Sequence, residues 1–144
     1  MRCLYCQNDT RVVNSRLQKR SNNTWRRRHC IGCGAVFTSV EQINLEYSVR
    51  FQPALGKNIA SQPFSRDKLF VSVYEACRHR KTALADATAL TETILQRLAP
   101  HFRQAVVERE VVIATALTVL GRFDHVAATY YGAYHDMKQK TKDR

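Results

Sequence analysis

The stretch from CLYC (Cys3–Cys6) to CIGC (Cys30–Cys33), with 23 residues between the two pairs, decides the fold of this 144-residue chain. A Cys-x-x-Cys knuckle turns tightly enough to aim two thiolates at one point, so two knuckles supply a tetrahedral sulfur site. Gly34, directly after the second pair, suits the positive φ that such a turn often needs. Cys3, Cys6, Cys30 and Cys33 are therefore expected to hold one structural zinc. Four thiolates leave no open position for a catalytic water. Rubredoxin-type iron uses the same donor set and would show itself by colour and redox activity. His29 precedes Cys30 and could replace a ligand, though a strand residue facing away is the simpler reading. The N-terminus MRCLYCQNDT has no apolar stretch behind its basic residue, which argues against a secretory signal. The expectation is a cytoplasmic protein, where thiols stay reduced and paired cysteines bind metal.

Between the knuckles lies the most basic part of the chain. From Arg11 to Arg28 there are seven Lys/Arg and no acid, within a net charge of +11. That balance fits a polyanion, either nucleic acid or an anionic membrane. No apolar run approaches the ~20 residues needed to span a bilayer. Thr10–Arg16, Thr24–His29 and Ala35–Val40 read as strands of a small antiparallel sheet, with a turn at Ser21-Asn22-Asn23. Alternation along the second strand places Arg26 and Arg28 on one face, Trp25 and Arg27 on the other. The Arg26/Arg28 pair is expected to track phosphates, with Asn14 or Ser15 adding neutral contacts. Trp25 either stacks on a base or packs over the metal site, and packing is favoured. Nucleic acid is the better reading of the ribbon; docking on a protein partner is the alternative.

Residues 1–46 hold too few large aliphatic side chains for a core of their own and need a metal staple. Residues 47–144 differ, with long apolar periodicities and one cysteine, Cys77, expected as a buried filler. The expected class is α+β: a zinc ribbon followed by a mostly helical domain (47–137) with a short β-hairpin, then a basic solvated tail (138–144). Tyr47–Phe51 reads as a strand, followed by a loop and a second strand around Lys57–Ala60. Ser65 caps a helix carrying Leu69, Val73 and Cys77. A second helix carries Leu90, Ile94 and Leu98 and ends at Pro100. The third runs from about Glu108 to Leu120 and stops at Gly121. Asp124 caps a fourth with Ala127, Tyr131, Tyr134 and Met137. Glu108 and Glu110 at a helix start favour the dipole. No catalytic constellation stands out, so an enzyme is not expected.

The quoted residues resemble the NrdR family, bacterial transcriptional repressors of ribonucleotide reductase genes. MRCLYC resembles its first knuckle, TRVVNSR (Thr10–Arg16) its strand T-R-V-V-D-S-R, and WRRRHCIGCGAVFTSVE (Trp25–Glu41) its basic strand and second knuckle. FSRDKL (Phe64–Leu69), EACRHR, EREV (Glu108–Val111) and FDHVA (Phe123–Ala127) are similar to helices of its ATP-cone. The resemblance implies a ribbon that binds double-stranded operator DNA and a cone that binds ATP and dATP, nucleotide setting the size of a homo-oligomer. It puts Arg11, Arg16, Arg26, Arg27 and Arg28 at DNA-facing positions. It also puts Val49 and Arg50 on the first cone strand and Lys68 on the phosphate-reaching helix. The family's V-x-K-R-D-G is here Val49-Arg50-Phe51-Gln52-Pro53, one basic residue fewer, with Lys57 of the longer loop as a substitute. Tyr130, Tyr131 and Tyr134 serve either the nucleotide or helix packing. A cone that has lost nucleotide binding, beside a ribbon that docks on protein, is the alternative function.

Overall fold

Runs rich in Val, Thr and Arg, broken by Asn22 at φ 48°, fold the N-terminal part of the computed structural model into three strands. The structure describes residues 1–53 and 60–142. β1 (Thr10–Gln18), β2 (Asn23–Cys30) and β3 (Val36–Gln42) form an antiparallel sheet in that order. Val12 pairs with Arg28 and Asn14 with Arg27, so Val13 is an extra, bulged residue in β1. In the compact unit Met1–Asn44 only Cys3 and Cys30 are buried. The sheet therefore has no apolar core, as the composition implies.

The second unit, Leu45–Arg144, is mostly helical. It opens with a one-turn helix α1 (Leu45–Ser48), in which the Val49 N–H donates to the Leu45 carbonyl at 2.8 Å. The strand expected over Tyr47–Phe51 is therefore shorter, β4 (Arg50–Gln52). It pairs antiparallel with β5 (Gln62–Pro63) and parallel with β6 (Val106–Glu108). The second strand expected around Lys57–Ala60 falls mostly on residues 54–59, outside the described residues; the observed partner is β5. β6 was not expected, because its three residues run directly into a helix. Helix α2 (Arg66–Cys77) is capped as the sequence indicates, the Lys68 N–H donating to Ser65 Oγ at 3.2 Å. α3 (Ala83–Leu98) passes into a 3₁₀ segment, Ala99–Gln104, that contains Pro100.

Helix α4 (Arg109–Phe123) runs through Gly121 rather than stopping there. Its end is set by Asp124, whose N–H donates to the Leu120 carbonyl at 2.7 Å while its Oδ1 accepts from Val126 and Ala127 N–H. One carboxylate thus separates α4 from α5 (His125–Lys142). The basic end expected as a tail is helical as far as Lys142; lysines are good helix formers and favour the negative C-terminal pole. Val73, Ile94, Leu98, Ala116, Leu120 and Tyr131 lie in the core that joins the helices. Cys77 is fully buried in it, as expected, and burial pushes its thiol up.

Candidate metal centre and nucleic-acid interface

The two knuckles are built alike. In the first, the Gln7 N–H donates to the Cys3 carbonyl (3.0 Å) and the Cys3 N–H to the Asn8 carbonyl (2.8 Å). In the second, Gly34 N–H donates to Cys30 O (3.2 Å) and Cys30 N–H to Ala35 O (2.9 Å). The residue after each pair has positive φ, 61° at Gln7 and 71° at Gly34. Sequence pointed to Gly34 through its residue type. Gln7 was missed, although it occupies the same place in the first knuckle.

The four Sγ atoms lie within 4.8 Å of one another, and no other such group of His, Cys, Asp or Glu occurs among the described residues. Cys3 Sγ and Cys33 Sγ are 3.7 Å apart, Cys6 Sγ and Cys30 Sγ 3.4 Å. Zinc–sulfur bonds of ~2.3 Å in a tetrahedron require about 3.8 Å between sulfurs, so the donor set fits a zinc ion. Tyr5 N–H donates to Cys3 Sγ (3.4 Å), Cys33 N–H to Cys30 Sγ (3.4 Å) and Asn8 Nδ2 to Cys6 Sγ (3.6 Å). Such bonds orient ligands and favour thiolate. The Cys30 thiol is pulled down to about 6, first by the Cys33 N–H. Cys33 moves the other way, to about 12: the Ala35 N–H favours its thiolate, but Cys6, burial, Cys30 and Cys3 outweigh it. Sulfurs this crowded need a cation before all four ionise. His29 lies in β2 and stays outside the sulfur group.

Register sorts the basic residues of the sheet. Trp25, Arg27 and His29 share a face with Arg16, Asn14 and Arg11 of β1, their partners across the strands. Val40, Thr38 and Val36 of β3 complete it. The other face carries Arg26 and Arg28 with Ser15, Val12, Ser39 and Phe37. There Arg26 is ion-paired with Glu41, its Nε donating to Glu41 Oε2 at 2.9 Å. Arg28 Nε donates to Ser39 Oγ at 2.9 Å and its Nη1 to Thr10 Oγ1 at 3.5 Å. The expected Arg26/Arg28 pair is thus on one face, but both side chains are held within the sheet. Trp25 does not pack over the metal site: it lies five residues along β2 from Cys30, 51% exposed. Its strand partners there, Arg16 and Val40, belong to a one-layer sheet with nothing stacked on it within this unit.

In the helical unit the candidate nucleotide residues are spread over separate elements. Val49 is buried, and its carbonyl accepts from the Phe64 N–H at 2.9 Å. Arg50, in β4, turns its guanidinium onto Ser61, with Nε 3.3 Å from Oγ and Nη2 on the carbonyl. Lys68 is exposed on the first turn of α2. Lys57 lies outside the described residues. Tyr131 is a core residue, 2% exposed, its ring centroid 4.3 Å from that of His135 at a tilt of 47°, and burial pushes its hydroxyl up to about 12. Tyr130 and Tyr134 are exposed on α5.

Two polar clusters were not visible in the sequence, since their members are far apart along it. Ser72 Oγ and His135 Nε2 are 3.0 Å apart, tying α2 to α5, while Arg109 Nη2 donates to the His135 carbonyl at 2.8 Å. Arg80 bridges Asp86 (2.8 Å) and Asp124 (3.0 Å) beneath the Phe123 ring. No helix among the described residues is long and apolar enough to cross a membrane.

Residues 1–41 match the family model described as "Transcriptional repressor NrdR-like, N-terminal domain". Over longer stretches the chain is similar to proteins named transcriptional repressor NrdR. It is 31% identical to that of Tropheryma whipplei strain Twist, over 88% of this chain and 82% of the other. Identity is also 31% with that of Nitrosomonas eutropha, over 95% and 86%. With that of Syntrophotalea carbinolica it is 29%, over 96% and 88%.

Proposed function

The chain belongs to the NrdR family of transcriptional repressors, and from that premise we propose a zinc-dependent, nucleotide-responsive repressor of ribonucleotide reductase genes. In this reading residues 1–46 grip double-stranded operator DNA. Residues 47–137 bind ATP and dATP and thereby set the size of a homo-oligomer. The observation that carries it is the acid-free run of seven cations from Arg11 to Arg28, five of them on two strands that have one end each at the four thiols, with Lys19 and Arg20 in the turn between. Zinc, when bound, neutralises the thiolates and fixes both knuckles. The chain's own residues do the rest: guanidiniums meet phosphates, and the sheet holds them at strand spacing. Clusters of Lys and Arg on a rigid element are the electrostatic footprint of nucleic-acid binding.

For the helical unit, Arg50, Lys57 and Lys68 are the proposed phosphate cations and Val49 the apolar contact. Sedimentation of the zinc-loaded chain without nucleotide, with ATP and with dATP tests this half. A change of mass between nucleotides supports it. Unchanged mass together with no heat in calorimetry overturns it. That outcome favours the ribbon as an adaptor on a protein partner, a reading supported by the engagement of Arg50 with Ser61.

A further inference from the structure

Arg11 and Arg16 are five residues apart, and strict alternation along a strand would put them on opposite faces. The bulge at Val13 adds one residue between them. As a result Arg11 stands opposite His29 and Arg16 opposite Trp25, both on the face that carries Arg27. Bulges re-aim side chains at functional surfaces. Here one gathers three guanidiniums on one face.

The two faces differ in charge and in what holds the charges. Within the paired residues of β1–β3 the Arg11/Arg16/Arg27 face has no acid, and these three side chains have no partner among the described residues. The opposite face carries Glu41, which neutralises Arg26, and hydroxyls that hold Arg28. In β2 and β3 the first face is the more exposed: Trp25, Arg27, Val36, Thr38 and Val40 are exposed, whereas Arg26, Arg28, Phe37 and Ser39 are half-buried. We propose that the Arg11/Arg16/Arg27 face, with Trp25 at its end, is the surface that takes a nucleic-acid duplex. Arg26 and Arg28 instead tie β2 to its neighbours. This rests on the DNA-binding reading above and changes two of the five positions that the family resemblance assigned to DNA.

The dimensions suit a phosphate backbone. His29 and Trp25 are four residues apart, so Arg11 and Arg16 are spread over about 13 Å at ~3.3 Å per residue. Arg27 lies between them on the next strand, ~4.8 Å away. A DNA strand rises ~3.4 Å per nucleotide along the helix axis, and its phosphates lie farther apart than that along the winding backbone, so the three cations span at most about four phosphates. Asn14, opposite Arg27 on the same face, is placed for a neutral contact.

The test is fluorescence anisotropy of the zinc-loaded full chain with a labelled mixed-sequence DNA duplex over a salt series. Each lost phosphate contact flattens the log K against log salt slope by ~0.9. Arg11→Ala/Arg16→Ala/Arg27→Ala is expected to flatten it by about 2.7, with zinc content unchanged. Arg26→Gln/Arg28→Gln is expected to keep the wild-type slope while lowering the melting temperature. Should that pair fail to retain zinc, Arg26→Lys/Arg28→Lys replaces it, with the same expectation for the slope. A slope lost in the Arg26/Arg28 variants and kept in the triple variant overturns the face assignment. A wild-type slope near zero overturns the DNA-binding reading itself, and saturable binding to an acidic polypeptide in its place would make the face a protein-docking surface.

Discussion

Replacing Gly32 by Ala probes how the two knuckles interlock. A Cβ at Gly32 would stand 2.2 Å from Asn8 Nδ2, 2.8 Å from Cγ and 2.9 Å from Cβ. The amide end of Asn8 can swing away, but its Cβ cannot move without its backbone. That backbone accepts the Cys3 N–H, and its side chain donates to Cys6 Sγ. Gly32→Ala therefore pushes the first knuckle off its ligand geometry through the second. Overpacking of this kind costs about 1–3 kcal/mol. Metal binding and folding are one equilibrium in such a ribbon, so the loss appears as roughly 5- to 150-fold weaker apparent zinc affinity. Competition with a chromogenic chelator measures it. Gly34→Ala is the comparator: a Cβ there meets nothing within 4 Å, and only the 71° φ opposes it, about 1–2 kcal/mol. Asn8→Gly combined with Gly32→Ala removes the clash and should cost less than the sum of the two changes. Gly32→Ala within twofold of wild type, or a strictly additive double variant, would refute the interlock.

Zinc removal is expected to abolish hydrogen-exchange protection in β1–β3 while α2–α5 keep theirs. Structural zinc supplies ~10–16 kcal/mol, against ~5–15 for the whole stability of an ordinary domain, and this sheet buries only Cys3 and Cys30. Asp124→Ala should lower the melting temperature more than Asp124→Asn, which retains a cap for α5. His79, the Ala127 N–H and Arg80 hold the Asp124 carboxyl well below the usual carboxylate range. Its contribution is therefore present above pH ~3.9 and lost as pH falls toward the folded value. Melting of Asp124→Asn should be flatter than wild type across that acid window. Trp25 is the single tryptophan and lies on the proposed duplex face, so acrylamide should quench its emission and saturating duplex should protect it. Unchanged quenching with duplex bound would move the contact elsewhere.

The parts of this molecule legible in the sequence are those fixed by local rules. Cys-x-x-Cys spacing gave the sulfur group, β-rich runs around Asn22 gave three strands, and Ser65 and Asp124 gave two helix starts through short side chains that accept N–H groups. What stayed hidden depends on pairing. Nothing in TRVVNSR distinguishes a bulge at Val13 from a regular strand, because the bulge exists only relative to β2. Glu41 lies 15 residues from Arg26, and their meeting required the β2–β3 register. β6 is three residues of parallel edge, too short for periodicity to register. Gly121 looked like a stop, but the chain turns only where Asp124 caps the next helix. Trp25 was expected over the metal because large aromatics favour burial; a one-layer sheet without a core offers that side chain no interior.

The central claim is that the zinc-pinned sheet is the DNA-reading surface. The measurement that tests it most directly is duplex affinity by anisotropy at fixed low salt, first with zinc, then after chelation, then with zinc restored. The account predicts binding that disappears with the metal and returns with it, in step with the β-sheet signal. Equal affinity in all three states would contradict it.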